Sequence, residues 1–534
     1  GARAGDWVIA EITRYPTSER GAQARVVERL DPDRPLALAQ AAAIARYDLP
    51  VEFPAAALRE AECLGTEVRA ADLVHRVDLR ELPLVTIDGE DARDFDDAVY
   101  AEENARGWRL VVAIADVSHY VRIGSALDAE ARRRGTSVYF PRRVLPMLPP
   151  ALSDHLCSLQ PEVDRLCMVA DLQLTRRGEL SSTRIYPAVM RSAARLTYTL
   201  AYAALFEHRR AARAELGSLL PKLEPLVEVY RLLARRRRRR GALEFDAPEA
   251  VFEFDAAERV RAVRLYERNE AHKLIEECMI LANVAVAREL LRGGGGALFR
   301  VHGTPDPLKI ERLQQSLALL GVGALLPEEP TTLDLRKIAE RVAAPELRPL
   351  VESLIVRSLK QAQYQAPNIG HFGLALREYA HFTSPIRRYP DLVVHRALRA
   401  QRDRSDPCGY LPGPDELTVL GVQMSALERR ADEADRDVDT FLKCSYLVER
   451  IGQTFAGVVT TVTEAGCFVQ LSDLLLDGLL RLDRRGAHDF TMADSGAAWV
   501  SRAQRRELKV GSRVHVIVTA VNPVEGLVDL ELAA

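Results

Sequence analysis

Six carboxylates fall within ten residues of this 534-residue chain: Asp88, Glu90, Asp91, Asp94, Asp96 and Asp97. Like charge at that density repels itself. A folded protein accommodates it by leaving the carboxylates in water or by setting divalent cations between them. The flanks bear on the choice. Leu82, Leu84, Val85 and Ile87 read as a buried strand that delivers Asp88 to its end, and Ala98, Val99 and Tyr100 return to apolar character. The cluster therefore belongs to a folded core and not to a surface tail. Hard oxygen ligands of this kind suit magnesium, or manganese, which take a few carboxylates and leave positions for water and a substrate phosphate. A helix–loop–helix calcium site does not fit, because Arg93 and Val99 stand where it needs glycine and glutamate. From the residues alone, a solvated loop and a metal site both remain open.

A second constellation spans residues 370–396, GHFGLALREYAHFTSPIRRYPDLVVHR. Pro390 suits the first turn of a helix, so a helix is expected from 390 through 398. Arg387 and Arg388 then lie just before its N-terminus, where free N–H groups and the helix dipole also favour anions. Two guanidinium groups there would clamp a phosphate; the alternative is pairing with a structural carboxylate such as Asp391. His302, His371, His381 and His395 form no ligand spacing and read as hydrogen-bonded structural residues. No nucleophile elbow, P-loop or dinucleotide fingerprint is present, so nothing implies bound ATP or NAD.

The elements that must position these groups can be read from pattern. Residues 1–35 alternate like two strands around a polar turn at 16–21, too little for a complete barrel. Residues 36–79 are largely helical and broken by Pro50 and Pro54. From 80 to 448 strands and helices mix, with a buried strand over 110–115 ending at Asp116, a buried helix over 270–291, and a long charged helix over 417–448. Beyond that, five short glycine-punctuated strands (452–462, 466–471, 478–482, 513–521 and 527–532) point to an OB-type barrel. In it, Phe455 and Phe468 are candidate stacking aromatics, and Phe468 is expected to be the exposed one.

The length leaves room for about three or four domains. No apolar run is long enough to span a membrane. The seven cysteines are scattered with no C-x-x-C pair, the usage of a reducing cytosol and neither a disulfide scaffold nor a zinc site. The chain opens at Gly1, without Met and inside a strand-like pattern, as expected of a trimmed or truncated product. A net charge of −3 does not by itself mark a nucleic-acid binder, but the basic charge is clustered arginine, including the run of six at 235–240. That run reads first as the solvated end of a helix and second as an aid in attracting RNA.

Taken together, residues 84–100, 112–121 (VAIADVSHYV), 134–139 (RGTSVY), 156–168, 271–283 and 370–396 resemble the ribonuclease II family of exoribonucleases, whose catalytic region is the RNB domain. The wording is nearest its bacterial ribonuclease R branch, and the likeness covers essentially the whole chain. It implies a multidomain α+β protein. A mixed α/β RNB catalytic domain (80–448) would follow a partial cold-shock-type OB domain (1–35) and a helical linker (36–79), and precede an S-one-type OB RNA-binding domain (449–534).

The resemblance also implies a processive, hydrolytic 3′-to-5′ exoribonuclease that releases nucleoside 5′-monophosphates with Mg2+, or Mn2+, as cofactor. The family's acidic motif maps onto Asp88, Asp94, Asp96 and Asp97 as metal ligands, leaving Asp91 outside. Asp96 is expected to orient the attacking water or its metal, and Asp96, Asp97 and Arg387 to carry catalysis. Tyr198 is expected to pack on the terminal base, with Arg388 and Phe468 as further RNA contacts. On spacing alone, Tyr198 and Tyr202 would be core. An aromatic that clamps the last bases in some members is replaced here by Pro305. The expected partners are single-stranded RNA 3′ ends, with room for RNA-decay or ribosome-associated proteins; a cytoplasmic monomer is expected. The competing reading is a non-catalytic RNA-binding regulator on the same fold, which would be expected to have lost part of the aspartate–arginine set. A phosphodiesterase acting on DNA or small nucleotides is disfavoured by the OB domains.

Overall fold

A computed structural model describes residues 2–533 apart from 19, 246–248, 267, 324, 343–346, 483–489, 494–495 and 502–504. The chain begins with an antiparallel pair, β1 (Trp7–Arg14) and β2 (Gln23–Leu30), followed by α1 (Pro35–Arg46). Ile12, Val26 and Val27 on the pair are exposed, so these strands form an open two-stranded sheet.

The central sheet has seven strands: β3 (Val77–Asp78), β4 (Val85–Asp88), β5 (Asp97–Asn104), β6 (Gly107–Ala115), β7 (Asp164–Leu174), β8 (Leu180–Arg191) and β9 (Ala194–Thr197). Their spatial order is β9-β4-β5-β6-β7-β8-β3, antiparallel through the middle with parallel pairs at both edges. β6 shows why it sits at the centre. Alternate residues point to opposite faces, and both sets are apolar: Leu110, Val112 and Ile114 enter one core, Val111, Ala113 and Ala115 the other.

Helices cover both faces. α2 (Tyr198–Leu205), α3 (Leu220–Arg240) and α4 (Glu270–Arg292) supply the first core. α5 (Tyr389–Arg402) serves both, through Val394 and Ala397 on one side and Leu392 and Val393 on the other. Pro390 lies in its first turn, where the missing N–H costs nothing. Three shorter helices, Pro307–Leu319, Thr332–Glu340 and Arg348–Ser358, gather around a small core of their own that sequence pattern had not singled out.

α6 (Pro414–Val448) joins the parts. Its 35 residues, about 52 Å of helix, give Leu417 and Met424 to the sheet core, Ala434 and Leu442 to a core shared with α1, and Cys444 and Leu447 to the barrel. That barrel is closed, in the order β10 (Thr454–Thr463), β11 (Gly466–Leu471), β12 (Leu476–Arg481), β14 (Leu527–Leu532), β13 (Arg513–Asn522). The five strands read from sequence are these five. The structure adds a three-stranded sheet between β12 and β13 (Phe490–Met492, Ala498–Ser501, Arg506–Lys509), and the Trp499 indole N–H donates to the Thr463 carbonyl at 3.0 Å. Strands of three or four residues are too short to show a period.

Candidate active site

β4 ends on Asp88 and β5 begins on Asp97, so one tight connection carries the whole acidic cluster. That connection is pinned from below. Phe95 N–H donates to Ser158 Oγ at 3.0 Å, Ser158 Oγ donates to the Arg93 carbonyl at 2.6 Å, and Ala115 N–H reaches the Asp96 carbonyl at 2.8 Å. The carboxylates cannot splay toward water. Asp96 is 4% exposed, and Asp88 and Asp97 are half-buried.

Their electrostatics follow. Burial raises the pKa of all three above the ordinary carboxylate range. The Asp97 charge pushes Asp88 further, while the Arg387 guanidinium opposes the rise at each. One oxygen of each of Asp88, Asp96 and Asp97 is buried without a hydrogen-bond partner. Buried carboxylates left this way are unfavourable unless a cation joins them.

Arg387 is brought in from the other end of the sequence. Ile386 N–H donates to Asp96 Oδ1 at 2.9 Å, and Arg387 Nε lies 3.4 Å from Asp96 Oδ2. The turn before α5 is held by Asp391, which accepts from Ser384 N–H at 2.8 Å. The Arg387 carbonyl accepts from Ser137 N–H at 3.0 Å, locking the turn to the strand ahead of Tyr139. The Arg387 side chain is still 45% exposed; its Nη2 donates to Ser384 Oγ at 3.1 Å, and the rest of its fork is open to a ligand.

Arg388 differs from its sequence reading. Its Nη2 donates to Asp391 Oδ1 at 2.8 Å and its side chain is 20% exposed, so the guanidinium offered to RNA is engaged inside the protein. Asp116, at the end of β6, faces away from the cluster and sits fully buried between Arg76 (2.7 Å) and Arg399. The four histidines are hydrogen-bonded as expected; His395 Nε2, for example, lies 2.8 Å from the Phe382 carbonyl.

Tyr198 opens α2, and the charges of Asp88 and Asp97 help to raise its pKa, after burial. One ring face is already covered by the His272 imidazole, stacked at 3.9 Å and 21°. A base can therefore use only the opposite face or the ring edge. In the barrel, Phe468 is 37% exposed, whereas Phe455 packs on the barrel core.

Two site residues were missed in sequence. Tyr139, 41% exposed, donates its hydroxyl to Asp94 Oδ2 at 2.9 Å. His272 backs Tyr198 and is itself held by the Tyr266 hydroxyl at 3.0 Å. Tyr139 lay in a segment that carried the resemblance, but its strand-like setting disclosed no partner; His272 read only as an early helix residue.

Among the described residues, no group of three or more His, Cys, Asp or Glu side chains forms a metal cage by itself. Magnesium does not need one, since it commonly takes one or two carboxylates and completes its shell with water and phosphate. The buried oxygens of Asp88 and Asp97, and the Asp96 oxygen that meets only Arg387, fit that mode.

The RNB domain profile matches residues 76–402, more than half of the chain and all of this site. This chain belongs to the RNB family. A cold shock domain profile matches residues 1–54. Ribonuclease R of Vibrio parahaemolyticus is 44% identical over the whole chain, which spans 65% of that relative's length. Ribonuclease R of Escherichia coli K12 is 43% identical, with 66% of its length spanned, and that of Aquifex aeolicus 38%, with 75%. Among solved RNB structures, Mycoplasma genitalium RNase R in complex with ribose methylated single-stranded RNA superposes with a TM-score of 0.89 at 25% identity, over 98% of this chain and 82% of that one. The fold alone is shared with yeast Ssd1, a pseudonuclease (TM-score 0.69, 18% identity, 96% of this chain and 62% of that one). A shared fold therefore does not decide catalysis; the site residues must.

Proposed function

We propose that this chain is a divalent-metal-dependent 3′-to-5′ exoribonuclease that hydrolyses single-stranded RNA to nucleoside 5′-monophosphates. The observation that carries this reading is the set of buried oxygens on Asp88, Asp96 and Asp97 that no hydrogen bond satisfies, beneath the half-exposed Arg387 guanidinium. A regulator has no use for carboxylates kept at such cost. The RNA-bound Mycoplasma genitalium relatives, one with single-stranded and one with double-stranded RNA, support RNA as substrate, and the latter supports structured RNA as well.

Asp88, Asp96 and Asp97, with Asp94 at the rim, would hold Mg2+, or Mn2+. The ion would supply charge neutralisation at the scissile phosphate and a more acidic bound water. Arg387 binds a non-bridging phosphate oxygen with its exposed edge, and Asp96 keeps that fork oriented through the 3.4 Å contact. Tyr198 and Tyr139 border the carboxylates and accept the terminal nucleotide; Phe468 stacks a base farther along the strand. Recognition by stacking and backbone contacts does not depend on sequence. All seven cysteines are free thiols, which supports a reducing, cytoplasmic setting, and the enzyme acts as a monomer in this reading.

The test is digestion of 5′-labelled single-stranded RNA with magnesium, comparing this chain with Asp97→Asn. A product series shortening from the 3′ end, abolished by EDTA and by the substitution, is the expected result. RNA bound but left intact with either metal would favour the regulator.

A further inference from the structure

α4 and α5 both start at the catalytic end, at His272 beside Tyr198 and at Arg388, and both finish on a distant face. α4 alone has 23 residues, about 34 Å of helix. On that face lies a cleft of about 510 Å³ lined by Arg240, Arg288, Arg292 and Arg377 against one carboxylate, Glu378. Arg292 also lines the neighbouring cleft of about 960 Å³, into which Arg122 and Arg402 project. The larger cleft is mixed in charge, with Asp72, Glu289, Asp403 and Asp406 on its wall as well, so the arginine excess of this groove lies in the smaller cleft and continues to Arg402 through the shared Arg292.

Arginines near helix ends complement the negative end of the dipole, which accounts for Arg292 and Arg402 but not for Arg288 or Arg377. The internal ion pairs are loose or partial: Arg288 Nε is 3.6 Å from Glu378, and Arg292 is held by Glu289 at 3.0 Å while remaining 68% exposed. Among the described residues, Arg377 and Arg402 have no side-chain hydrogen bond or ion pair. Arg240 donates Nε to the Leu374 carbonyl at 2.9 Å, but its Nη2 is buried without a partner. Burial, with the neighbouring arginines Arg237 and Arg236, weakens its hold on its proton, although Glu277 and Glu244 oppose this. Arg377 and Arg402 thus have no direct anionic partner among the described residues, and Arg288 and Arg292 are only partly neutralised.

We propose that this groove binds the phosphate backbone of RNA outside the catalytic channel. The proposal rests on the reading of the chain as an RNA-processing protein. An acidic protein partner is the less fitting occupant. Protein interfaces centre on apolar and aromatic anchors, and the smaller cleft offers only Leu291, Ala375 and Leu376. A polyanion needs only spaced cations, and planar guanidinium forks suit phosphate. The groove holds a part of the RNA that has not yet been threaded, so that a long substrate is anchored at two places.

The experiment compares the full chain with the double variant Arg377→Gln/Arg402→Gln, neither residue being near the carboxylates. Anisotropy of labelled RNA in EDTA is read against salt for strands of about 30 and about four nucleotides, the shorter unable to span both places at roughly 3.4 Å per stacked nucleotide. The longer strand is expected to bind the variant more weakly, with a log K against log salt slope shallower by about 1.4, or about 0.7 per lost phosphate contact. Binding and magnesium-dependent hydrolysis of the short strand stay unchanged. An unaltered slope for the long strand overturns the proposal, and so does equal weakening of both strands. Weakened binding of polyglutamate with unchanged RNA binding would assign the groove to a protein and also overturn it. If the wild type cleaves nothing yet the long-strand difference persists, the groove stands and the exonuclease reading falls.

Discussion

At the residue scale, Asp88, Asp96 and Asp97 are carboxylates held where a carboxylate alone is least stable. With their folded pKa values raised by burial, their protonated forms favour the fold. The associated stability is present below the ordinary carboxylate value near 4 and is lost as pH rises through the raised values. Metal-free protein is therefore expected to melt higher at pH 5 than at pH 7 in calorimetry. Asp97→Asn, which deletes one of these charges, should melt higher than wild type in EDTA at pH 7, by roughly 1–3 kcal/mol of stability. Magnesium should then raise the melting temperature of the wild type more than that of the variant; equal shifts would remove Asp97 from the metal set. Arg387 is tested by Arg387→Lys, which keeps the charge but loses the fork. A fall in kcat of about 10²–10³ with little change in KM is expected in steady-state hydrolysis, and a change confined to KM would make Arg387 a binding residue only.

At the element scale, the site depends on β6 and α5 being fastened together. Asp116 does this, with Arg76 and Arg399 paired to it out of water. Its carboxyl is held well below the usual range: burial opposes this, but the charges of Arg399 and Arg76 prevail. It therefore contributes stability above pH 4 that is lost as pH falls toward the depressed value. Asp116→Asn removes the anion shared by two buried guanidinium groups, leaving Arg399 with Asp406 and Ser118 and Arg76 with backbone carbonyls, and should cost about 3 kcal/mol in chemical denaturation. A loss under about 1 kcal/mol would mean that those remaining partners suffice to hold the arginines. Sequence had read Asp116 only as the end of a strand. The strand itself was plain from its apolar run, but the two arginines lie 40 and 283 residues away in sequence, and nothing local names them.

At the scale of the whole molecule, α6 ties sheet, N-terminal helix and barrel together by serving three cores in succession. It sets the barrel, and with it Phe468, at a fixed place relative to the sheet. Phe468→Ala is expected to weaken RNA binding by about 1–3 kcal/mol, read as a loss of roughly 5- to 150-fold in affinity. The melting temperature should stay unchanged, since the ring is not part of the barrel core. Unchanged affinity would mean that RNA does not pass over β11.

The sequence by itself determined the parts whose cause is local. The acidic segment between two apolar strands, the helix opening at Pro390, the long helix ending at Val448 and the five barrel strands all follow from period, punctuation and the proline ring. Tertiary structure decided which neighbours those parts meet. Arg387 and Arg388 are chemically the same and adjacent, yet one lies over Asp96 and the other turns to Asp391, because Arg388 is in extended backbone, where successive side chains point opposite ways. Tyr139 on Asp94 and His272 on Tyr198 were hidden for the related reason that their partners are 45 and 74 residues away in sequence. Contacts of that range are set by how sheet and helices pack, and no local pattern records them.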